Sequence, residues 1–218
     1  AAVAERRMSV ALLNCPAGDV ARGERGFLND DSRRAEVEAG FAEALELAVA
    51  IGAPNVNVLV GRALPSVPDA RQRSALLSAL RWFAQLARAR SVRVLLEPVN
   101  ELDSPGFMAP TPDAAVELIE AVGDDELGLL LDVYHVARAG DDPASAIERH
   151  AERIAHVQVA DHPGRGAPGS GALAIWDLLE QLAAGGYGGA IGFEYDAHGE
   201  TERSLGFLRE PRARALFG

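Results

Sequence analysis

The sequence predicts an α/β protein of the TIM (β/α)8-type barrel class that lacks the first two strands, so that six strand–helix units are visible. Short apolar runs alternate with long amphipathic runs, which is typical of strand–helix–strand crossovers and a parallel sheet. The short runs are almost continuously apolar, as expected for parallel strands that are covered on both faces. In the last four strands, a side chain suited to binding a metal or a proton lies near the carboxyl end.

Six strands are predicted from the apolar runs, and each run is bounded by a turn or by a helical pattern. They lie near 8–14, 55–61, 92–99, 127–134, 154–161 and 189–196. A complete barrel of this class has eight strands in about 250 residues. The chain has 218 residues, so either two strands are missing from the start or the sheet is open. An open, doubly wound sheet is therefore the alternative architecture.

The helices are predicted between the strands, from apolar residues at helical spacing and from capping signals. Gly52 follows the first helix as a C-cap signal, Pro68 and Asp69 open the second, and Thr111 precedes Pro112 as the N-cap of the third. The predicted helical segments are 31–52, 68–90, 111–123, 142–153, 172–186 and 201–217.

Composition restricts the class of protein. A chain of 218 residues predicts one domain, taken as residues 1–218. No apolar stretch is long enough to span a membrane and no signal peptide is visible, so we expect a cytoplasmic protein without a membrane partner. The single cysteine, Cys15, fits a reducing compartment and is expected to be a packed residue rather than a reactive thiol. The net charge of −11 argues against a nucleic-acid partner.

Four polar residues near the ends of the last four strands carry the prediction of a site: Glu97, Asp132, Gln158 and Glu194. Burying an uncompensated carboxylate costs several kcal/mol. Since the strand ends of a barrel converge on one mouth, one cation there could bind all four side chains and offset that cost. An open sheet would spread them too far apart for one ion. The competing interpretation is that each acid caps the following helix or pairs with an arginine.

Several motifs of this chain resemble the hydroxypyruvate isomerase family, within the xylose-isomerase-like barrel superfamily. The resemblance runs from about residue 10 to 210 and is most specific where PAGD and GERG occur together with ADHPGRGAPGSG. The matching segments are NCPAGDVARGERG, NVLVGR, LLEPVN with SPGF, LDVYH, HVQVADHPGRGAPGSG and GFEYDAHGETERSLGFLR, at 14–26, 57–62, 95–100 with 104–107, 131–135, 156–171 and 192–209.

The resemblance implies a barrel whose metal is held by Glu97, Asp132, Gln158 and Glu194, with Glu97 and Glu194 as the proton donor and acceptor. It implies the interconversion of hydroxypyruvate and 2-hydroxy-3-oxopropanoate (tartronate semialdehyde) through an enediolate. The four ligands offer only oxygen, which favours Mg²⁺ or Mn²⁺ over Zn²⁺. Two departures, Leu13 in place of a family histidine and Ala172 in place of a family glutamate, affect the identity of the substrate.

Three further residues are candidates for binding a small 2-oxo acid or sugar-like substrate. His135 would donate a hydrogen bond to a substrate oxygen, and Arg165 would pair with the substrate carboxylate. Arg25 would close over the acid from a loop. Asp161 is expected either to orient a ligand or to start a turn. His156 is expected to face the helical layer and is not counted as a ligand.

Other functions stay open. The same site would serve a 2-oxo-tetronate isomerase or a ketose 3-epimerase. An endonuclease acting on abasic DNA would need a histidine-rich zinc cluster and a basic face, whereas this chain has five histidines and a net charge of −11. A truncated barrel could also be a non-catalytic protein, and its exposed sheet edges leave a homo-oligomer open.

Overall fold

The computed structural model describes residues 5–6 and 8–217, and these form two compact units. Unit 1 comprises Ala1–Leu129 and unit 2 comprises Leu130–Gly218. Each unit has strands and helices of its own. The single domain expected from the length of the chain stays a prediction.

Unit 1 contains strands β1 (Leu13–Asn14), β2 (Asn55–Val58), β3 (Arg93–Leu96) and the first half of β4 (Leu127–Asp132). Neighbouring strands are parallel and follow one another in chain order. β1 is much shorter than the predicted strand 8–14, because only its last two residues pair with β2. The apolar residues of β2 and β3 are buried, which agrees with the near-continuous apolar runs of the sequence.

The helices of unit 1 are α1 (Arg34–Ile51), α2 (Asp69–Arg88) and α3 (Pro112–Val122). Their ends confirm the capping signals of the sequence. Gly52 ends α1 in the left-handed conformation, with φ of 72°, and the Thr111 side chain accepts a hydrogen bond from the Ala114 backbone at the start of α3. α1 and α2 pack together through Phe41 and Phe83, which stack at 3.9 Å between ring centroids.

Unit 2 contains the second half of β4, then β5 (Ile154–Val159) and β6 (Ile191–Phe193), with β5 and β6 parallel. Its helices are α4 (Val133–Arg138), α5 (Pro143–His150), α6 (Ile175–Ala184), α7 (Thr201–Ser204) and α8 (Pro211–Phe217).

In unit 2 the sequence-based prediction missed one helix and wrongly joined two others. α4 was missed because it is only one and a half turns long and follows β4 without a loop. The single helix predicted at 201–217 is divided into α7, a 3-10 turn at Leu205–Arg209 and α8. Pro211 is the reason for the last break, because proline begins a helix readily and interrupts one that precedes it.

No helix in the described part of the chain is both long enough and apolar enough to cross a lipid bilayer.

Candidate metal centre

In unit 1, Glu97 lies one residue beyond β3 and is held by an asparagine of the neighbouring strand. The Asn57 amide nitrogen donates to Glu97 Oε2 at 2.6 Å and to Asn14 Oδ1 at 3.0 Å. Asn14 and Asn57 are register partners on β1 and β2, so their side chains lie on the same face of the sheet. Neither asparagine was predicted from the sequence as part of the site. The signal in the sequence was a polar residue, Asn57, between Val56 and Val58, and the structure shows that it is buried.

In unit 2, Asp132 is the last residue of β4 and also the N-cap of α4. Its Oδ1 accepts a hydrogen bond from the Tyr134 backbone at 2.9 Å. Asp132 is only 2% exposed. The alternative interpretation, in which the acid caps the following helix, is therefore correct for Asp132 Oδ1. The second oxygen, Oδ2, faces Arg165 instead.

Gln158 and Glu194 meet across the pair formed by β5 and β6. Gln158 is opposite Gly192 in the register, and Glu194 is two residues further along the chain, on the same face. The Gln158 amide nitrogen donates to Glu194 Oε2 at 2.6 Å. A carboxylate can only accept, so this contact fixes which end of the amide faces Glu194.

The other end of the Gln158 amide provides the strongest indication of a cation site. Gln158 Oε1 is buried and has no hydrogen-bond partner among the described residues. An unsatisfied buried carbonyl oxygen costs about 1–3 kcal/mol, and a cation or a hydrogen-bond donor bound at Gln158 Oε1 would offset that cost. A hard cation such as Mg²⁺ or Mn²⁺ fits this oxygen and the neighbouring carboxylates.

Arg165 lies between Asp132 and Glu194 in unit 2. Its Nη2 is 2.5 Å from Glu194 Oε1 and 3.4 Å from Asp132 Oδ2. The guanidinium also lies over the ring of Tyr134, at 5.1 Å from its centroid. The structure thus gathers Asp132, Gln158, Glu194 and Arg165 in one place, although Arg165 was predicted as a ligand of the substrate rather than of these carboxylates.

The loop that carries Arg165 is fixed by Asp161, which is fully buried. The Asp161 carboxylate accepts hydrogen bonds from the backbones of His162, Gly169 and Leu173, at 2.9, 2.9 and 3.0 Å. A Cβ atom at Gly171 would lie 2.5 Å from Asp161 Oδ1, so only glycine fits there. Asp161 therefore holds the loop and is more than the start of a turn.

Two histidines pack near these residues. His135 is 6% exposed, and its Nε2 is 3.8 Å from Asp132 Oδ2. His156 lies on the same face of β5 as Gln158, because a Cβ atom at Gly192 would be 3.4 Å from both side chains. The expectation that His156 faces the helical layer was therefore wrong. Burial lowers the pKa of His156, which keeps its imidazole neutral near pH 7.

Arg25 belongs to a loop of unit 1 and not to the acidic cluster of unit 2. Its Nη1 donates to the backbone carbonyls of Val20 and Glu24, at 3.1 and 2.8 Å. It lines a pocket of about 170 Å³ together with Arg22 and Arg62. Its predicted role in binding a substrate acid stays a prediction.

The chain is similar to a family model, to several sequence relatives and to solved structures. Residues 1–210 match the family model of the xylose isomerase-like TIM barrel. The chain is 32% identical to hydroxypyruvate isomerase of Escherichia coli, over 94% of this chain and 80% of the relative. It is 34% identical to 2-oxo-tetronate isomerase of Cupriavidus necator, over 93% and 78%. A crystal structure named AP endonuclease, family 2, from Brucella melitensis has a TM-score of 0.90 and 28% identity, and the match covers 94% and 80%.

Proposed function

The chain belongs to the xylose isomerase-like TIM barrel family, and from this premise we propose that it interconverts hydroxypyruvate and 2-hydroxy-3-oxopropanoate with the help of a divalent metal ion. It is an enzyme of the aldose–ketose isomerase type, since its relatives over most of the chain are isomerases. The observation that carries the proposal is the Gln158 amide of unit 2, whose Nε2 donates to the Glu194 carboxylate while its buried Oε1 has no partner among the described residues.

Asp132, Gln158 and Glu194 are the proposed metal ligands of unit 2. Glu97, one residue beyond β3, is proposed as the fourth, because strand ends converge on one mouth in a barrel of this family. Four oxygen ligands favour Mg²⁺ or Mn²⁺. Such an ion supplies positive charge that stabilises the negative charge developing on the substrate oxygens.

Glu97 and Glu194 are the proposed acid and base. One carboxylate removes a proton from the hydroxymethyl carbon of hydroxypyruvate, and the electron pair of that C–H bond forms the double bond of an enediolate. A proton is then delivered to the neighbouring carbon, while the proton of the original hydroxyl passes to the former ketone oxygen, so that the hydroxymethyl carbon becomes the aldehyde and the ketone carbon becomes the alcohol. Hydrogen bonds from Asn57 to Glu97 and from Gln158 to Glu194 orient the two carboxylates for these transfers.

Arg165 is the proposed ligand of the substrate carboxylate, because its planar guanidinium matches that group in charge and geometry. The side chain is about one-third exposed and can therefore be reached from solvent. His135 and Arg25 are proposed to contact other parts of the substrate. The cytoplasm is the proposed compartment, since a chain with one cysteine suits a reducing environment.

A 2-oxo-tetronate isomerase is the second candidate, and the Cupriavidus necator relative of that name supports it. The same carboxylates would move a proton between adjacent carbons of a four-carbon acid, so the geometry of unit 2 does not separate the two substrates. A barrel of this kind would also suit a ketose 3-epimerase or, if truncated, a non-catalytic protein.

The test is to assay the purified protein, after removal of metal with a chelator, against hydroxypyruvate, 2-oxo-tetronate and D-fructose, with and without Mn²⁺. We expect Mn²⁺-dependent turnover of hydroxypyruvate. Turnover of 2-oxo-tetronate alone would favour the second candidate, and turnover of D-fructose alone would favour an epimerase. No turnover of any of them would favour a non-catalytic protein, and incision of abasic DNA instead would point to an endonuclease.

Variants of the two glutamates test the assignment of roles. Glu97→Gln and Glu194→Gln are expected to lose at least about 99% of the turnover, because an amide cannot transfer the proton. Glu202→Gln is the matched control, since it makes the same chemical change at an exposed position of α7 and should retain full turnover. Full turnover in both glutamate variants would show that other groups move the proton.

A further inference from the structure

The guanidinium of Arg165 lies between the carboxylates of Asp132 and Glu194 in unit 2. Arg165 Nη2 contacts Glu194 Oε1 at 2.5 Å and approaches Asp132 Oδ2 to 3.4 Å. These are carboxylates of the proposed metal site. The guanidinium therefore neutralises the same two charges that a divalent cation would neutralise.

A guanidinium and a metal ion cannot use these oxygens together without a large repulsion. Two positive charges a few ångströms apart repel strongly inside a protein, where the effective dielectric constant is well below that of water. At the same time, Asp132 is almost fully buried and needs a positive partner, because an uncompensated buried carboxylate is unfavourable. The two cations are thus alternatives for one position.

The backbone of Arg165 is held in place, and its side chain is partly exposed to solvent. Three backbone N–H groups of its loop donate hydrogen bonds to the Asp161 carboxylate. The Arg165 carbonyl accepts a further hydrogen bond from the Asp196 backbone at 2.7 Å. The side chain is about one-third exposed, so only rotations about its own bonds are needed to move the guanidinium. The guanidinium also lies over the ring of Tyr134, at 5.1 Å from the ring centroid.

The backbone of Arg165 supports this interpretation. Its φ is +53°, in the left-handed region that residues other than glycine, asparagine and aspartate seldom adopt. Non-glycine residues in this region cost free energy and persist where the surrounding structure fixes them. Here that conformation aims a long cationic side chain at Glu194 from a loop held by Asp161.

We propose that Arg165 is an exchangeable internal cation, which neutralises Asp132 and Glu194 in the metal-free protein and is displaced by the metal ion to bind the carboxylate of the substrate. This inference rests on the proposed function and adds a coupling between two ligands. The metal releases the arginine that the acid substrate needs, and the acid substrate holds the arginine away from the metal ligands. Each ligand should therefore strengthen the binding of the other.

The test is isothermal titration calorimetry of chelator-treated protein with Mn²⁺, at fixed pH and salt concentration. Arg165→Gln removes the internal competitor, so we expect Mn²⁺ to bind about tenfold more tightly than to the original protein, within the usual range of coupling between sites. Arg165→Lys keeps one charge but loses the planar fork, and its affinity for Mn²⁺ should lie between the two.

Arg212→Gln is the matched control. Arg212 also bridges two carboxylates of unit 2, with contacts of 2.5 Å to Asp177 and 2.7 Å to Glu180, but these are exposed groups outside the candidate centre. The variant removes the same charge from the same unit, and we expect its affinity for Mn²⁺ to match that of the original protein. A similar increase in this control would mean that net charge, and not displacement, sets the affinity.

A second titration tests the coupling to substrate. Hydroxypyruvate should raise the affinity of the original protein for Mn²⁺ several-fold, whereas dihydroxyacetone, which lacks the carboxylate, should not. Arg165→Gln should lose this increase. Unchanged or weaker Mn²⁺ binding by Arg165→Gln would overturn the exchange, and Mn²⁺-dependent turnover of hydroxypyruvate by the original protein would leave the proposed function intact. An original protein that neither binds Mn²⁺ nor turns over hydroxypyruvate would overturn both.

Discussion

At the scale of single residues, each unit has an amide side chain that holds a glutamate with a proposed role. Asn57 fixes Glu97 in unit 1, and Gln158 fixes Glu194 in unit 2, each through a contact of 2.6 Å. The sequence predicted the two glutamates and Gln158, because polar residues at the ends of apolar strands are visible in the pattern. It did not predict the role of Asn57, because a contact between residues 40 positions apart depends on strand register and rotamers.

The role of Asn57 can be tested by truncation. Asn57→Ala removes the hydrogen-bond donor of Glu97, so the carboxylate loses its orientation. We expect kcat for hydroxypyruvate to fall about 10- to 100-fold, the usual effect of losing such an orienting partner, with a much smaller change in KM. Asn55→Ala is the control, since Asn55 lies on the same strand and donates instead to the Ala11 carbonyl. Equal losses of kcat in the two variants would contradict the assignment.

Cys15 follows β1, and the reactivity of its thiol toward alkylating reagents can be predicted. Burial raises the pKa of its thiol to about 12, so at pH 8 the folded protein contains very little thiolate, the reactive form. We expect alkylation by iodoacetamide at pH 8 to be at least about tenfold slower in the folded protein than in urea at about 8 M, where the thiol has its ordinary pKa. Mass spectrometry of timed samples measures both rates. Equal rates would show that Cys15 is an accessible, reactive thiol.

At the scale of elements, the loop between β5 and α6 has no regular secondary structure but places Arg165 beside Asp132 and Glu194. Its position follows from Asp161, whose carboxylate accepts three backbone hydrogen bonds. The alternation of apolar and amphipathic segments was enough to predict every strand and most helices. It could not predict the loop, because the sequence shows neither which groups a buried aspartate accepts nor where an arginine side chain points.

Replacement of Asp161 tests this organisation. Asp161→Asn keeps the size of the side chain but removes the charge and one acceptor, so backbone donors lose their partners. We expect the free energy of unfolding to fall by about 2 kcal/mol, from the usual value of hydrogen bonds to charged groups. Urea denaturation measures the change. Asp177→Asn, at an exposed position, should change stability by less than about 0.5 kcal/mol, and similar effects of the two variants would argue against this role of Asp161.

At the scale of the whole molecule, family membership and strand order agree with the barrel-type fold predicted from the sequence. Six strands occur in the described part of the chain at the predicted places, although β1 and β6 are shorter than predicted, and the regularity of the strand–helix units made them predictable. From the sequence we could expect only that Asp132, Gln158 and Glu194 lie at strand ends. Their contacts with one another and with Arg165 were not predictable, because side-chain pairing is decided by distances of a few tenths of an ångström.

Metal binding should also be visible in stability. A ligand that binds only the folded state stabilises it by about 2.7 kcal/mol at 100 times its Kd, so Mn²⁺ should raise the Tm of the chelator-treated protein by several degrees. Gln158→Leu removes the oxygen ligand and should abolish most of this rise, without lowering the Tm of the metal-free protein substantially. Gln85→Leu, at an exposed position of α2, should retain the full rise. An equal rise in Gln158→Leu would exclude Gln158 as a ligand.

The most direct test of the central claim is a titration of chelator-treated protein with Mn²⁺ during turnover of hydroxypyruvate. We expect no turnover before metal is added, a linear rise with Mn²⁺, and a plateau at one ion per chain. Full turnover in the presence of excess chelator, or none at any Mn²⁺ concentration, would contradict the claim that a metal ion held by these side chains drives the reaction.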